Sequence, residues 1–347
     1  MASAMAGRKI VITGGAGFIG HNLALSLKAM GAKVDILDSL QVNNLNAFAS
    51  NTNNLPNRDL YLSLIQQRLS MLFSADIPVH VIDVRDYHTT GRLLAELQPD
   101  VIVHLAAIAH ANVANKDPYS TFDHSLRTLE NTLDYARQFG THFVYFSSSM
   151  VYGDFPDGFV TEESTCNPLG IYGALKFSGE KMVIAYNQVF DLPYTIVRPS
   201  ALYGERCVSR RVGQVFIENA LQGFQLQVAG DGSDRLDFTY VADVVNGVAR
   251  IIEDERSRNQ IFNMTFGQSR SIAGMIDIVC SHFPDVSVTY IPRDRLMPSR
   301  GTLSMDKARR LLDFEPSFPV ERGFPLYIDW YKKLFAERQK TPQAAAV

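Results

Sequence analysis

The sequence has few of the residues and segments that mark several classes of protein. Its 347 residues include three cysteines, and no apolar run reaches the length of a membrane-spanning helix. Cys166, Cys207 and Cys280 have no CxxC or metal-ligand spacing, which predicts reduced thiols and no metal site. The first residues, MASAMAGRKIVITGG, contain no apolar segment typical of signal peptides. We therefore expect a cytoplasmic protein that does not bind a membrane.

An excess of charge of one sign is also missing. There are 33 basic and 36 acidic residues, a formal net charge of -3, so no overall field attracts nucleic acid or an anionic membrane. The sequence also has no stripe of basic and aromatic residues of the kind that binds nucleic acid. The expected partner is a small molecule, and any anionic group on it must meet local positive side chains.

What the sequence does contain is a regular alternation of Val- and Ile-rich runs with segments of helical period. The runs are KIVITG, KVDILD, VHVID, VIVHLAA, HFVYFSSS and YTIVRPS. This alternation is typical of an α/β fold, in which a parallel sheet has helices on both faces. We predict a doubly wound Rossmann domain over residues 1–198. Residues 199–347 have shorter mixed elements and are predicted mainly to form a smaller α/β substrate lobe, with some segments returning to the first domain.

An insertion at residues 40–78 interrupts the predicted sheet where a short connection would suffice. It contains an Asn-rich stretch, NNLNAFASNTNNLPN, and a helical stretch, DLYLSLIQQRLSMLF. Apolar residues recur at helical spacing in the second stretch, at Leu62, Ile65, Leu69 and Leu72. We expect the insertion to pack on the domain, and a role in covering the ligand is the alternative.

A glycine-rich turn, TGGAGFIG, follows the first predicted strand and opens a helix. It fits GxxGxxG, with Gly14, Gly17 and Gly20, and also GxGxxG, with Gly15 as the first glycine. In this context backbone N–H groups and the helix N-terminus meet a dinucleotide pyrophosphate. A turn needed only for tight packing is the alternative. The predicted cofactor contacts in the turn are Gly14, Gly17, Phe18, Ile19 and Gly20.

The ends of the next two strands supply candidate contacts to the adenosine. Asp38 ends the second strand, 18 residues after Gly20. A carboxylate there can accept both ribose hydroxyls and would repel a 2′-phosphate, which predicts NAD as the cofactor in preference to NADP. Asp83 and Val84, after the third strand, fall where the adenine edge would lie. For Asp83 a structural role in the turn is the alternative.

Tyr172 and Lys176 carry the predicted chemistry. They stand four residues apart in IYGALKFSGE, so on a helix they share one face, and the ammonium can lower the pKa of the phenol. Three serines end the fifth strand in FSSSMVYG, at the edge where α/β sheets bind ligands. Each feature alone has a simpler explanation. Tyr172 and Lys176 could lie on the surface of a helix, and the serines could cap the end of a strand. Their joint presence with the glycine turn and Asp38, in this order, favours an enzyme that oxidises an alcohol.

These motifs together resemble the extended short-chain dehydrogenase/reductase family, in particular its nucleotide-sugar epimerases and dehydratases such as the UDP-glucose 4-epimerases. The resemblance runs from about Arg8 to about Tyr331. It implies NAD in a Rossmann domain, a nucleoside-diphosphate sugar in the C-terminal lobe, and a homodimer formed through two helices of each subunit.

The resemblance also implies roles for single residues along the cofactor. Tyr172 and Lys176 match the base and its partner, and Ser148 matches the catalytic hydroxyl. The stretch HLAA, 104–107, resembles the segment that runs along the cofactor, and RPSALYG, 198–204, the strand end near the carboxamide. The cofactor contacts added in this way are Leu105, Ala106, Ala107 and Pro199.

The implied substrate contacts are Ser149, Arg211, Arg235 and Arg300. Arg300 resembles a phosphate-binding Arg, and Arg235 stands one position from the Arg of the family's RDF motif, where this chain has Leu236. Arg210 and Arg211, before a predicted helix, form a candidate diphosphate clamp. A solvated basic turn explains that pair equally well.

The departures from the family pattern narrow the predicted reaction. Dehydratases and related decarboxylases place an acidic residue just before VYG, and 3,5-epimerase members a Cys, whereas this chain has Met150. A thioether does no acid–base work, which leaves hydride removal and return at one carbon, expected at C4 of an NDP-hexose or its uronic acid through a 4-keto intermediate. Ala201 and Ser125 replace two Asn residues of the pattern and leave the sugar open.

Other functions remain as alternatives to the epimerase. A reductase or dehydrogenase of NDP-sugars, or a 4,6-dehydratase, would use the same scaffold. A non-catalytic NAD-binding regulator is a further alternative, but a regulator needs none of Ser148, Tyr172 and Lys176.

Overall fold

The computed structural model describes residues 5–49, 56–109, 111–294 and 296–340. The first half of the chain alternates strands and helices. In chain order these are β1 (Lys9–Thr13), α1 (Phe18–Ala29), β2 (Lys33–Asp38), α2 (Leu45–Ala49), α3 (Arg58–Ser74), β3 (Val79–Val81), α4 (Tyr87–Leu97), β4 (Val101–His104), α5 (Ala111–Lys116), α6 (Pro118–Phe122), a π-helix (Asp123–Arg127), α7 (Thr128–Phe139), β5 (His142–Phe146), two 3₁₀ turns (Ser149–Val151, Pro156–Gly158), β6 (Phe159–Val160), α8 (Gly170–Phe190) and β7 (Tyr194–Arg198).

The second half has shorter elements. These are β8 (Leu202–Tyr203), α9 (Val212–Leu221), β9 (Leu226–Ala229), β10 (Arg235–Leu236), β11 (Thr239–Tyr240), α10 (Val241–Glu253), a 3₁₀ turn (Glu255–Ser257), β12 (Gln260–Asn263), β13 (Arg270–Ser271), α11 (Ile272–His282), β14 (Val288–Ile291), β15 (Thr302–Leu303), α12 (Asp306–Leu312) and α13 (Val320–Lys340).

The main sheet has seven parallel strands in the order β12-β7-β5-β4-β1-β2-β3. Six of them coincide with the six predicted apolar runs, so the doubly wound Rossmann fold is confirmed. The seventh, β12, comes from the C-terminal half and was not predicted from its four residues. The division of the chain at residue 198 stays a prediction.

The apolar runs are explained by helices on both faces of this sheet. In β1, Ile10 and Ile12 pack into the core on the side of α1 and α10, whereas Val11 packs on the side of α4, α7 and α8. Successive strand side chains point to opposite faces, so a strand that is covered on both faces favours an apolar residue at most of its positions. The order of the strands also changes direction between β1 and β4. The carboxyl ends of these two strands therefore form the crevice in which such sheets bind ligands.

A second apolar core lies among α9, α11 and α13, which with β9 and β14 we call the C-terminal lobe. Part of the insertion joins it, because Tyr61 and Leu64 of α3 pack there with Phe216 and Tyr327. At the other end of α3, Leu72 packs into the core of the main sheet. The predicted packing of the insertion is therefore confirmed, but it bridges two cores. Residues 50–55 of its Asn-rich stretch lie outside the described residues.

The described helices include none that is both long and apolar enough to cross a membrane. The three cysteines are free; Cys207 is buried, and Cys166 and Cys280 are partly buried.

Candidate functional site

A cavity of about 310 Å³ lies along the carboxyl edge of the main sheet. The glycine turn and Asp38 form one end, and Tyr172, Ser148 and two arginines of the C-terminal half form the other. The cavity lining includes the predicted cofactor contacts Gly14, Gly17, Phe18, Ile19, Gly20, Asp38, Asp83, Val84, Leu105, Ala106, Ala107, Tyr172, Lys176 and Pro199. The structure thus brings together side chains that are up to 185 residues apart in the sequence, from Gly14 to Pro199.

The backbone of the glycine turn lies so close to its neighbours that side chains at two of its glycines would collide with them. Gly14 has a φ of +69°, and a Cβ atom on it would lie 2.9 Å from the backbone nitrogen of Ala106. A Cβ atom on Gly20 would lie 2.5 Å from the Cα atom of Gly15. α1 begins after Gly17 without a side-chain cap and without an acidic residue in its first turn. Its first N–H groups can therefore face an anion, as the pyrophosphate of NAD requires.

Asp38 is fixed at the end of β2 by two backbone hydrogen bonds. Its Oδ2 accepts from the N–H of Ala16 at 3.0 Å and its Oδ1 from the N–H of Leu40 at 2.8 Å. Burial raises the pKa of the carboxyl, and these two bonds oppose the shift. Each oxygen keeps a lone pair, so an ionised Asp38 can accept both hydroxyls of an adenosine ribose. The donor and acceptor groups at this end fit NAD.

Asp83 lines the cavity but is also held by a structural ion pair. Arg85 donates to it from Nη2 at 2.5 Å and from its backbone N–H at 3.0 Å, and these bonds lower the pKa of Asp83. Arg85 also donates to Asp123 at 2.8 Å. Asp83 therefore combines the turn role with a position at the cavity, and the neighbouring Val84 is buried.

Ser148 and Tyr172 meet at the other end of the cavity. Both hydroxyls line the cavity, and Ser148 Oγ accepts from the N–H of Met150 at 3.2 Å. Lys176, one turn along α8 from Tyr172, donates from Nζ to the carbonyl of Phe146 at 2.7 Å. A sugar hydroxyl placed beside the phenol would therefore have a donor and an acceptor within reach.

A cation that the sequence analysis did not connect with Tyr172 also acts on it. Burial raises the pKa of Tyr172, and the charge of Arg211 and the nearby hydroxyl of Ser148 oppose this shift. Lys176 is itself buried, which lowers its pKa to about 8. Its Nζ is turned to the carbonyl at the end of β5. That Lys176 lowers the pKa of the phenol when NAD is bound stays a prediction.

A buried ion pair that sequence reasoning missed holds α8 in place. Glu180, one turn beyond Lys176, accepts from Arg198 Nε at 2.9 Å and Nη2 at 2.7 Å, and from the hydroxyl of Ser147. This network ties α8 to the carboxyl ends of β5 and β7. It fixes the distance between the strand-end serines and Tyr172.

Two of the predicted substrate arginines face the cavity with unpaired donors. Arg211 and Arg300 both line it, and the Nε of each is buried without a hydrogen-bond partner among the described residues. Burial lowers the pKa of Arg300 to about 10, and the charge of Arg211 adds to the effect. Two cations that repel each other are suited to an anion between them. Ser149, the fourth predicted substrate contact, also lines the cavity.

The other two arginines point elsewhere. Arg235, predicted to bind substrate, lies outside the cavity in an exposed position of β10, where it donates to the hydroxyl and carbonyl of Ser269 at 3.0 and 2.8 Å. Arg210 donates to the Tyr61 hydroxyl at 3.2 Å. Arg210 therefore does not line the cavity with Arg211, whereas Arg300 does.

Sequence reasoning also missed Arg68, a residue of the insertion that lines the cavity. Its signal was present, since Arg68 lies three residues after Ile65 and four before Leu72, on the face of α3 that was predicted to be buried. Across the part of the chain that the structure describes, His, Cys, Asp and Glu side chains form no group of three or more that could hold a metal ion.

Comparison with known proteins agrees with this geometry. A family model for the NAD dependent epimerase/dehydratase family matches residues 10–265. YtcB of Bacillus subtilis, named an uncharacterized UDP-glucose epimerase, is 27% identical over 94% of this chain and 99% of its own length. A dTDP-glucose 4,6-dehydratase of Xanthomonas campestris is 26% identical over 92% of each chain.

A solved structure supports the fold. UDP-glucuronic acid 4-epimerase from Bacillus cereus, in complex with UDP-glucuronic acid and NAD, superposes with a TM-score of 0.82 at 24% identity, over 94% of this chain and 99% of the other. Epimerases and dehydratases are about equally similar to this chain, so similarity does not choose between their reactions. The family model covers more than half of the sequence, and the chain therefore belongs to the NAD-dependent epimerase/dehydratase family of nucleotide-sugar enzymes.

Proposed function

We propose that the protein is an NAD-dependent nucleotide-sugar epimerase that inverts C4 of an NDP-hexose or its uronic acid through a 4-keto intermediate. The observation that carries the proposal is the position of Met150. It lines the cavity next to Ser149, where a dehydratase would need a group that moves protons at a neighbouring carbon.

The charges along the cavity support the same choice. The carboxylates among the described lining residues are Asp38 and Asp83, and both lie at the adenosine end. The acid–base groups near the reacting end are Tyr172, Ser148 and Lys176. These suffice to take a proton from a hydroxyl and to return it, whereas elimination of water or loss of a carboxyl group needs further proton transfer at carbon.

The residues of the chain divide the work of the reaction. Tyr172, with its charge stabilised by Arg211, takes the proton of the sugar hydroxyl while Ser148 holds the oxygen. NAD, when bound, would supply the acceptor for the hydride that leaves the sugar carbon and the donor that returns it to the opposite face of the ketone. Arg211 and Arg300 hold the diphosphate, so the keto sugar can turn while the nucleotide stays bound. Tyr172 then returns the proton to the alcohol of opposite configuration, with no net redox change.

The proposal is tested with purified protein and a panel of UDP-, GDP-, CDP- and dTDP-sugars in deuterium oxide, without added cofactor. We expect one pair of C4 epimers to interconvert, with no solvent deuterium at carbon and no net change in absorbance of the reduced cofactor. Deuterium at a neighbouring carbon would indicate a dehydratase, and stoichiometric formation or loss of reduced cofactor a dehydrogenase or reductase. NAD-loaded protein that turns over no member of the panel would favour a regulator.

The assembly and location follow as parts of the same proposal. A homodimer through α7 and α8 is supported by exposed apolar side chains near their ends, where Phe139 is 57% and Val189 69% exposed. Val189→Glu should then shift the sedimenting species from dimer to monomer, and an unchanged profile contradicts this interface. Free thiols at all three cysteines support a cytoplasmic location, which localisation of the tagged protein in cells would test.

A further inference from the structure

Arg68 is a buried cation without enough partners. It lies on α3 of the insertion with 0% of its surface exposed. Its Nε and Nη2 both donate to the carbonyl of Arg206, with Nε at 2.9 Å. Its Nη1 is buried and has no partner among the described residues. A buried charged donor that is left unpaired costs free energy, so the free Nη1 needs an explanation.

The cavity beside it offers one. Arg68 lines the same cavity as the glycine turn and Asp38. Its charge is close enough to act on Asp38 at the end of β2 and on His21, which lies one turn into α1 and hydrogen-bonds to the Gly17 carbonyl at 2.9 Å. Arg68 therefore lies near both the acidic strand end and the first turn of α1. No ion pair within 4.0 Å joins it to Asp38 among the described contacts, so its charge is not neutralised by contact.

We propose that Nη1 of Arg68 binds the diphosphate of NAD, which makes the insertion a cofactor-binding element. Asp38 is oriented by two N–H groups toward neutral ribose hydroxyls, and its negative charge disfavours a nearby phosphate. The N–H groups of α1 offset part of this repulsion. Arg68 supplies a positive charge from the insertion, in a buried position where screening by water is weak.

The same guanidinium connects the cofactor to the substrate half of the molecule. The carbonyl that it holds belongs to Arg206, five residues before Arg211 in the segment that leads into α9. Binding of the diphosphate fixes Arg68, and Arg68 fixes the start of this segment. The insertion thus couples cofactor binding to the placement of Arg211.

The test measures binding to cofactor-stripped full-length protein by calorimetry, with NAD, ADP and adenosine as probes. Arg68→Met should lower the affinity for NAD and for ADP by at least about tenfold, the loss expected for a hydrogen bond to a charged group. Its affinity for adenosine should stay within about twofold of wild type. Arg68→Lys keeps the positive charge but lacks the planar guanidinium with its several N–H donors. Its affinity for NAD and ADP should lie between those of wild type and Arg68→Met, and it replaces Arg68→Met in the test if that variant does not fold. Arg206→Met is the matched control, because it removes a neighbouring cation and its bond to His21 but keeps the carbonyl. We expect it to change NAD and ADP affinity by less than about threefold.

The outcomes separate binding from a structural role. Equal affinities of the folded Arg68 variants and wild type for NAD and ADP overturn the proposal. A loss that is as large for adenosine as for ADP also overturns it, because Arg68 would then shape the ribose site and not bind the diphosphate. If Arg206→Met loses as much affinity for NAD and ADP as Arg68→Met does, the effect comes from the summed positive charge in this region and not from Nη1 of Arg68. This result overturns the proposal as well.

Discussion

The two ends of the cavity differ in how they are assembled. The cofactor end is built from the carboxyl ends of adjacent strands and the turns that follow them, and each predicted residue there lines the cavity. The substrate end combines Tyr172 on α8 with arginines from separate loops of the C-terminal half. Arg235 was predicted to lie at this end, but it contacts Ser269 outside the cavity. The position of a residue in a turn that directly follows a strand is determined by the local sequence. The position of a residue in a distant loop depends on where that loop packs.

This comparison is tested most strongly at Tyr172, which lies at the substrate end and is also a predicted cofactor contact. Tyr172→Phe should lower kcat by about 10²–10⁴-fold, the range of a general base, with the NAD content of the purified protein unchanged. Steady-state kinetics measures kcat, and the amount of NAD released on denaturation measures the cofactor content. Full activity of the variant would sink the assignment of the base, and loss of NAD would show that the two ends are not separable.

The arginines offer an intermediate effect with an internal control. Arg300→Met should raise KM for the nucleotide sugar about tenfold or more, because a charge-assisted bond to the diphosphate is lost. Arg235→Met removes the same charge from an exposed position that contacts Ser269, and we expect KM within about twofold of wild type. If Arg235→Met has the larger effect, the sequence motif located the substrate better than the cavity did.

The last prediction concerns the stability of the fold and not the reaction, and it is made at Lys176, which lines the cavity with Tyr172. Burial lowers its pKa to about 8 from 10.5 in the protein without cofactor. Between about pH 8 and 10.5 the unfolded chain therefore binds the additional proton, and the contribution of Lys176 to the free energy of unfolding rises with pH. From pH 7.5 to 9.5 this gain should be about 2 kcal/mol, measured by urea unfolding of stripped protein.

Lys176→Met is the control for that measurement, because it lacks the titrating group and retains the other ionisable side chains. The difference in stability between wild type and Lys176→Met should therefore change with pH in favour of wild type. A difference that stays constant from pH 7.5 to 9.5 contradicts the lowered pKa.

The limits of prediction are visible in three residues. Asp38 was predicted from its distance to the glycine turn, which the βαβ unit keeps nearly constant. Arg235 was assigned through a motif that this chain has shifted by one position, and on a strand such a shift turns a side chain to the other face. Arg68 was overlooked because a buried basic residue breaks the apolar pattern of its helix, although its spacing to Ile65 and Leu72 placed it on the buried face.

The sequence by itself determined the Rossmann sheet, the cofactor and the pair of Tyr172 and Ser148, because these depend on strand periodicity and short fixed spacings. The tertiary structure decided which cations face the ligand. Arg211, Arg300 and Arg68 come from three distant segments, and their side chains are long enough to point toward or away from a cavity without any change in local pattern. Their orientation is fixed by the packing of the insertion and the C-terminal lobe against the sheet. Met150, by contrast, is placed by its neighbours in FSSSMVYG and could be interpreted before the fold was known. Among the arginines, the motif resemblance predicted Arg211 and Arg300 but also Arg235, and only the fold separated these and added Arg68.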